Sequence, residues 1–337
     1  MLEIILIASI KVLVVIVVVL TGCAYSTYLE RKLLGRLQHR IGPSYAGPYG
    51  LLQPIADAVK LMFKEDVVPD GVERLTYTLA PIITFVPSLL VFAVVPFGDN
   101  ITLFGKQITM VISDLNIAVL YIFAITSLGV YGIVLAGWSS GSKYSLLGGI
   151  RSSAQMISYE ISYGLSIIGI LLIANTLSLR ELVDLQGSDS IWFFSNWLIW
   201  KQPLGFLLYI ICAVAETNRV PFDLPEAESE LVAGYHTEYS SMRFAMFFIG
   251  EYANMLAVSS VGATLFFGGW QGPFVDSMPL LGVVWLILKV FIFMSCYIWL
   301  RGTLPRFRYD QLMNFGWKVL LPLALANTIV TAFFVVW

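Results

Sequence analysis

The sequence predicts an all-α polytopic membrane protein, with eight transmembrane helices forming a single integral domain over residues 1–337. Three observations carry that reading. Only 12% of the residues are charged, whereas a soluble domain carries about 25%. Seven apolar stretches are as long as the roughly 20 residues a helical crossing needs. The Lys and Arg residues also fall almost entirely on one side of the resulting topology. With 58% hydrophobic residues and a net charge of −2, the composition excludes a soluble enzyme, a disordered chain, a collagen-like fibre and an autonomous nucleic-acid binder.

The seven stretches run roughly 4–27, 76–96, 115–137, 154–174, 243–267, 279–300 and 316–336. The first contains Leu20-Thr21-Gly22-Cys23, which looks like a lipoprotein cleavage site. Glu3 and Lys11 precede it instead of a basic run, and the basic residues follow from Arg31, so a retained helix is expected. An eighth stretch, 204–220, is shorter, because its apolar run stops at Ala215 before Glu216 and Arg219. The charge count argues for including it. With eight spans, segments 28–75, 138–153, 216–243 and 301–318 hold fifteen Lys and Arg, against Lys106, Arg180 and Lys201 opposite. Without it the division is nine against nine. The positive-inside rule therefore places the odd-numbered loops in the cytoplasm or matrix and both termini outside.

The first inward loop contains Pro54, which suits a helix's first turn. Leu51, Ile55, Val59 and Met62 recur at spacings of three and four, with Gln53, Asp57, Lys60 and Lys64 on the other face. That pattern predicts an amphipathic helix in the interface plane. In the outward segment 175–203, Trp192, Trp197 and Trp200 read as an interfacial aromatic belt. The fifth loop is the most unusual, because Glu216, Asp223, Glu226, Glu228 and Glu230 crowd fifteen residues that hold one cation, Arg219. A solvated acidic loop is the ordinary explanation of such a run. Glu216 lies inside a required span, however, and Pro221 and Pro225 interrupt any simple helix.

Ionisable groups at membrane depth are costly and usually functional. Glu160 lies nine residues past Arg151 and Glu251 eight past Arg243, so each reaches about 12–13 Å from the inward side. Lys289 is near the middle of the seventh span, and Lys11 can snorkel outward. Two readings stay open: a buried Glu–Lys289 pair, or a proton-exchangeable chain of carboxylates. In the seventh loop, Arg301, Arg306 and Arg308 suit anchoring to lipid phosphates.

Redox centres within the chain are not expected. Cys23, Cys212 and Cys296 are scattered, and His39 and His236 lie in polar segments. No thiol cluster, in-span haem ligand pair or GxGxxG turn is present, and no metal site is predicted. Any electrons would be carried by partners.

Several segments resemble one family. Glu30-Arg31-Lys32, Gly42-Pro43 and Gly47-Pro48-Tyr49-Gly50-Leu51-Leu52-Gln53-Pro54, with Asp57 and Lys60, are similar to the first loop of the H subunit of NADH–quinone oxidoreductase, respiratory complex I. Its mitochondrial counterpart is NADH dehydrogenase subunit 1. Ala215 to Asp223 with Glu226 to Glu230 resembles that family's acidic fifth loop, and Pro305 to Gln311 its seventh. Ser158-Tyr159-Glu160 and Gly250-Glu251-Tyr252 resemble its intramembrane acids.

The resemblance implies a bacterial inner-membrane subunit whose substrate is quinone. FMN and iron–sulfur clusters would belong to peripheral-arm partners, and other membrane-arm subunits would adjoin it in the lipid. Arg31, Lys32, Arg36, Asp57, Lys60 and Phe222 would line or frame the quinone chamber. Glu216, Arg219, Asp223, Glu226, Glu228 and Glu230, with Glu160, Glu251 and Asp57, would couple that chamber to proton translocation. A related membrane-bound hydrogenase or ferredoxin-linked subunit is the first rival. An autonomous transporter is the second, but no duplicated motif links the two halves. A purely structural anchor is the third, and the intramembrane acids count against it.

Overall fold

The computed structural model describes residues 2–103, 106–187, 196–223, 232–275 and 277–337. α1 spans Leu2–Leu37, and a turn at 48–50 leads into α2, Gln53–Phe63. Gly50 sits in that turn at φ +81°, a conformation open to glycine, and so sets the direction in which α2 leaves. α3 covers Arg74–Leu90, and a short hairpin of β1, Ile101–Leu103, and β2, Lys106–Ile108, follows it. α4 is Ala118–Ser139 and α5 is Lys143–Ala174. α6, Leu179–Gln186, and α7, Leu198–Lys201, precede α8, Pro203–Glu216. α9 covers Ser241–Phe266, α10 Leu280–Thr303 and α11 Tyr309–Phe315. A π-turn at 316–320 joins α11 to α12, Leu321–Val336.

Among the described residues seven helical stretches are long and apolar enough to cross a bilayer, and they coincide with the seven expected from hydropathy. α8 is shorter, at 14 residues or about 21 Å. It packs antiparallel to α5, with Gln202 against Gly169 at one end and Ala215 bonded by Gln155 at the other. At its start Gln202 Nε2 donates to Thr331 Oγ1 (2.6 Å), while its Oε1 accepts from Asn327 Nδ2 (3.1 Å). This ties α8 to α12. Between apolar helices, close backbone approach and such polar bonds provide the attraction that water provides elsewhere. The N-terminal end of α5 shows the close approach: a Cβ on Gly148 would lie 2.7 Å from Gly234 Cα.

At the opposite end of the bundle two features differ from the sequence reading. The hairpin and α6 occupy loops that look bland in sequence. Trp197 is not a lipid-facing belt residue. Its ring packs on Phe267 and lies 5.2 Å from Lys289 Nζ, whereas Trp200 is exposed and Trp192 falls outside the described residues. Lys289 itself forms no Glu pair among the described residues. Its ammonium donates to the carbonyls of Phe267 (2.7 Å), Gly269 (2.8 Å) and Gln271 (2.7 Å), capping the chain where α9 ends. The first of the two open readings, a buried Glu–Lys289 pair, therefore does not hold there, and Lys289 is a structural cap.

Candidate functional site

The end of α1 near Glu30, the end of α8, the first half of α9 and the end of α10 converge on a buried set of charges. Glu30, on α1, is the shared acceptor. Arg301 from α10 forms a close ion pair with its Oε1, Arg219 Nη1 approaches the same oxygen at 3.6 Å, and Tyr252 from α9 donates to Oε2 at 2.6 Å. Arg219 lies in the turn directly after α8 and is almost fully buried. Its Nε meets Glu251 Oε1 at 2.8 Å, and its guanidinium stacks 4.6 Å from the Tyr252 ring. Two carboxylates thus face two guanidiniums in one apolar setting. Buried charges persist only when paired and hydrogen-bonded in this way.

The chain after Arg219 is held by its backbone. Gln155 Nε2, fully buried on α5, donates to the carbonyls of Ala215 (2.9 Å) and Phe222 (2.8 Å), and to Asn218 Oδ1 (3.1 Å). Phe222 stacks among Tyr159, Phe307 and Phe315. Asp223 is buried and accepts from Arg306 Nη2 at 3.0 Å, which fastens the fifth loop to the seventh. Glu226, Glu228 and Glu230 lie outside the described residues.

Glu216 is placed differently from Glu30, Glu251 and Asp223, each of which holds an arginine. It is 2% exposed, forms no ion pair among the described residues, and its Oε2 has no hydrogen-bond partner there. It lines a cavity of about 50 Å³ shared with Glu251, Thr217, Asn218 and Asn254. That volume exceeds the roughly 10–15 Å³ a water molecule requires, and the lining supplies polar partners. Glu160, half-buried on α5, is near enough for its charge to act on Glu216. Glu216 can gain or lose a proton without breaking the adjacent ion pairs, whereas protonation of Glu251 would release Arg219.

The first-loop residues are less concentrated. Arg31 Nη1 pairs with Asp57 Oδ2 at 2.6 Å, joining α1 to α2, and Gln53 Nε2 also reaches Asp57 (2.9 Å). This pair is partly exposed, so it contributes about 0–1 kcal/mol. Lys32 lies over the Tyr28 ring at 5.8 Å, while Arg36 and Lys60 are exposed and do not join the buried cluster. The apolar face of α2 is uncovered, with Ile55, Val59 and Met62 exposed as an interfacial helix requires.

Sequence reasoning did not assign site roles to Glu30, Tyr252, Arg301 or Arg306. Glu30 carried a usable signal, being the lone acid where an apolar span turns basic. Arg301 and Arg306 pair with buried carboxylates rather than simply anchoring to phosphate, and Arg308 pairs with Asp310 at the surface.

His236 closes the described part of the fifth loop. Its ring sits edge-on to Tyr235 and Phe244, and its Nδ1 has no partner among the described residues. Burial pushes its pKa down to about 4, with Asp223 pulling the other way. An opened loop, with histidine near 6.5, binds a proton that the closed loop refuses. The closed form is therefore fully stable above pH 6.5 and loses up to roughly 3 kcal/mol as pH falls toward 4. Amide exchange over 232–240, corrected for intrinsic rates, should rise across that window and become flat in His236→Phe. An unchanged slope in that variant would contradict the assignment.

The fold and this site define an integral membrane protein that keeps a charge-balanced polar cluster at one end of its helix bundle. A family model described as NADH dehydrogenase matches residues 10–332. The NADH-quinone oxidoreductase H subunit numbered 2 of Koribacter versatilis is 54% identical, covering 98% of this chain and 97% of its own length. The H subunit of Protochlamydia amoebophila is 54% identical over 93% of each chain, and that of Thermomicrobium roseum 53% over 98% and 97%. The chain belongs to the H-subunit family of NADH–quinone oxidoreductase. It is a membrane subunit of that enzyme complex and does not form a full active site alone.

Proposed function

We propose that this subunit forms the membrane wall of a quinone-reduction chamber and couples the reaction to proton translocation through its buried carboxylates. The observation that carries the reading is Glu216, a buried acid without a cation among the described residues, which faces Glu251 across a cavity able to hold water. Reduction of a quinone consumes protons along with electrons. Beside the first and fifth loops, that demand shifts protonation in the acidic cluster of Glu216, Asp223, Glu226, Glu228 and Glu230, and the change passes along Glu160 and Glu251. Arg219 holds Glu251 beside this path.

Arg31, Lys32, Arg36, Asp57, Lys60 and Phe222 line or frame the chamber in this reading. An apolar groove of about 350 Å³ between α1, α9 and α10, lined by Tyr25, Leu29, Leu256 and Met294, ends within a turn of Glu30 and suits the quinone's hydrophobic tail. The electrons arrive from FMN and iron–sulfur clusters held by peripheral-arm subunits, and neighbouring membrane-arm subunits receive the coupling signal. α8 makes an eighth crossing, so the odd-numbered loops are cytoplasmic and both termini lie outside the inner membrane. The antiparallel run of α8 along α5 supports that crossing.

Mild-detergent purification through a tag on this chain tests the reading. Flavin and iron–sulfur spectra with quinone-reductase activity are expected in the co-migrating complex, while the isolated chain is inert in liposomes. Nickel in place of flavin would point instead to the hydrogenase-type relative, and transport by the chain alone would overturn the assignment.

A further inference from the structure

The end of α1 remote from Glu30 carries a second feature that the proton path does not use. Lys11 and Arg31 are twenty residues apart on one continuous helix, about 30 Å, which is the thickness of a bilayer's hydrocarbon core. With Arg31 at one boundary, Lys11 stands at the other. Its Nζ donates to Thr109 Oγ1 (3.0 Å) and to the Val111 carbonyl (3.2 Å), both on the segment following β2. An ammonium has three donors. These two acceptors are neutral, and Lys11 makes no ion pair among the described residues.

Beside this ammonium lies a groove of about 340 Å³, within the range of small-molecule sites. One wall is a stripe of α1, with Ile7, Val14 and Val18 at helical spacing around Lys11; the other is Phe97 with the strand-following segment 108–112. Val14 and Val18 are half-exposed, so the groove opens sideways, and from Lys11 it runs about 10 Å toward the membrane's middle at Val18. A cation with no protein anion among the described residues, at the hydrocarbon boundary above an apolar trough, matches an amphiphile with an anionic head and an aliphatic chain. Quinone has no such charge.

We propose that this groove binds one anionic phospholipid of the leaflet opposite Arg31, with its phosphate on Lys11 and an acyl chain along Val14 and Val18. The test uses the intact complex in nanodiscs of phosphatidylglycerol or phosphatidylcholine, with retained lipid counted by native mass spectrometry. Wild type and Lys11→Arg should keep a phosphatidylglycerol that Lys11→Met retains roughly fivefold less well. Val14→Trp should lose it with the charge in place, and phosphatidylcholine should show no dependence on residue 11. A photo-crosslinker at position 14 should label lipid. Equal retention across the variants, or a crosslink to a protein subunit instead of lipid, overturns the proposal. If Lys11→Met does not assemble, Lys11→Arg and Val14→Trp still decide it.

Discussion

Glu216→Gln should leave the complex assembled while lowering quinone-linked proton pumping by roughly a hundredfold or more. The side chains are close to isosteric, and Gln can hydrogen-bond but cannot exchange a proton. Assembly should survive because Glu216 forms no ion pair among the described residues, so its neutralisation strands no buried cation. Most acids around it differ in this respect: Glu30, Glu251 and Asp223 each hold an arginine. The measurement is NADH-driven acidification in proteoliposomes, alongside a native gel for assembly. Wild-type pumping in an assembled variant would remove Glu216 from the path.

Glu30→Ala should have the opposite profile, with a loss of stability that precedes any effect on turnover. The substitution removes the acceptor shared by Arg301, Arg219 and Tyr252 in a setting where Glu30 and Arg219 are nearly inaccessible. Breaking one member of a buried charge cluster costs about 3–5 kcal/mol, because the stranded cations cannot return to water. The complex should accumulate poorly and melt at lower temperature. Glu30→Gln should be milder, and Glu30→Gln with Arg301→Gln milder again, since the pair leaves together. A double-mutant cycle of thermal stability on Glu30 and Arg301 measures this coupling. Additive losses would mean that the two side chains do not act as a pair.

The long spans were legible in the sequence because hydropathy over about 20 residues records a requirement of lipid itself. The interfacial helix was legible for a similar reason, as its apolar positions must recur at helical spacing wherever it meets the bilayer. α8 was harder to read, since its 14 residues fall below a hydropathy criterion and only the placement of Lys and Arg argues for it. The acids of the site could be read individually, and their shared depth suggested a common purpose. Their partners could not, because Glu30 and Arg301 meet across 271 positions of chain and nothing in either local pattern encodes the other. Lys289 shows the same limit. A lysine in mid-span reads as half of an ion pair, yet it caps carbonyls that are freed only where α9 ends and the chain turns back. The hairpin beside Lys11 was missed because strands of three residues leave almost no periodicity.

If Glu216 carries the coupling, quinone reduction changes its protonation. Redox-induced infrared difference spectroscopy on the purified complex tests it most directly, with Glu216→Gln as the control. A carboxyl C=O band should shift when quinone is reduced and be missing from the Glu216→Gln spectrum. Identical difference spectra in wild type and Glu216→Gln would contradict it.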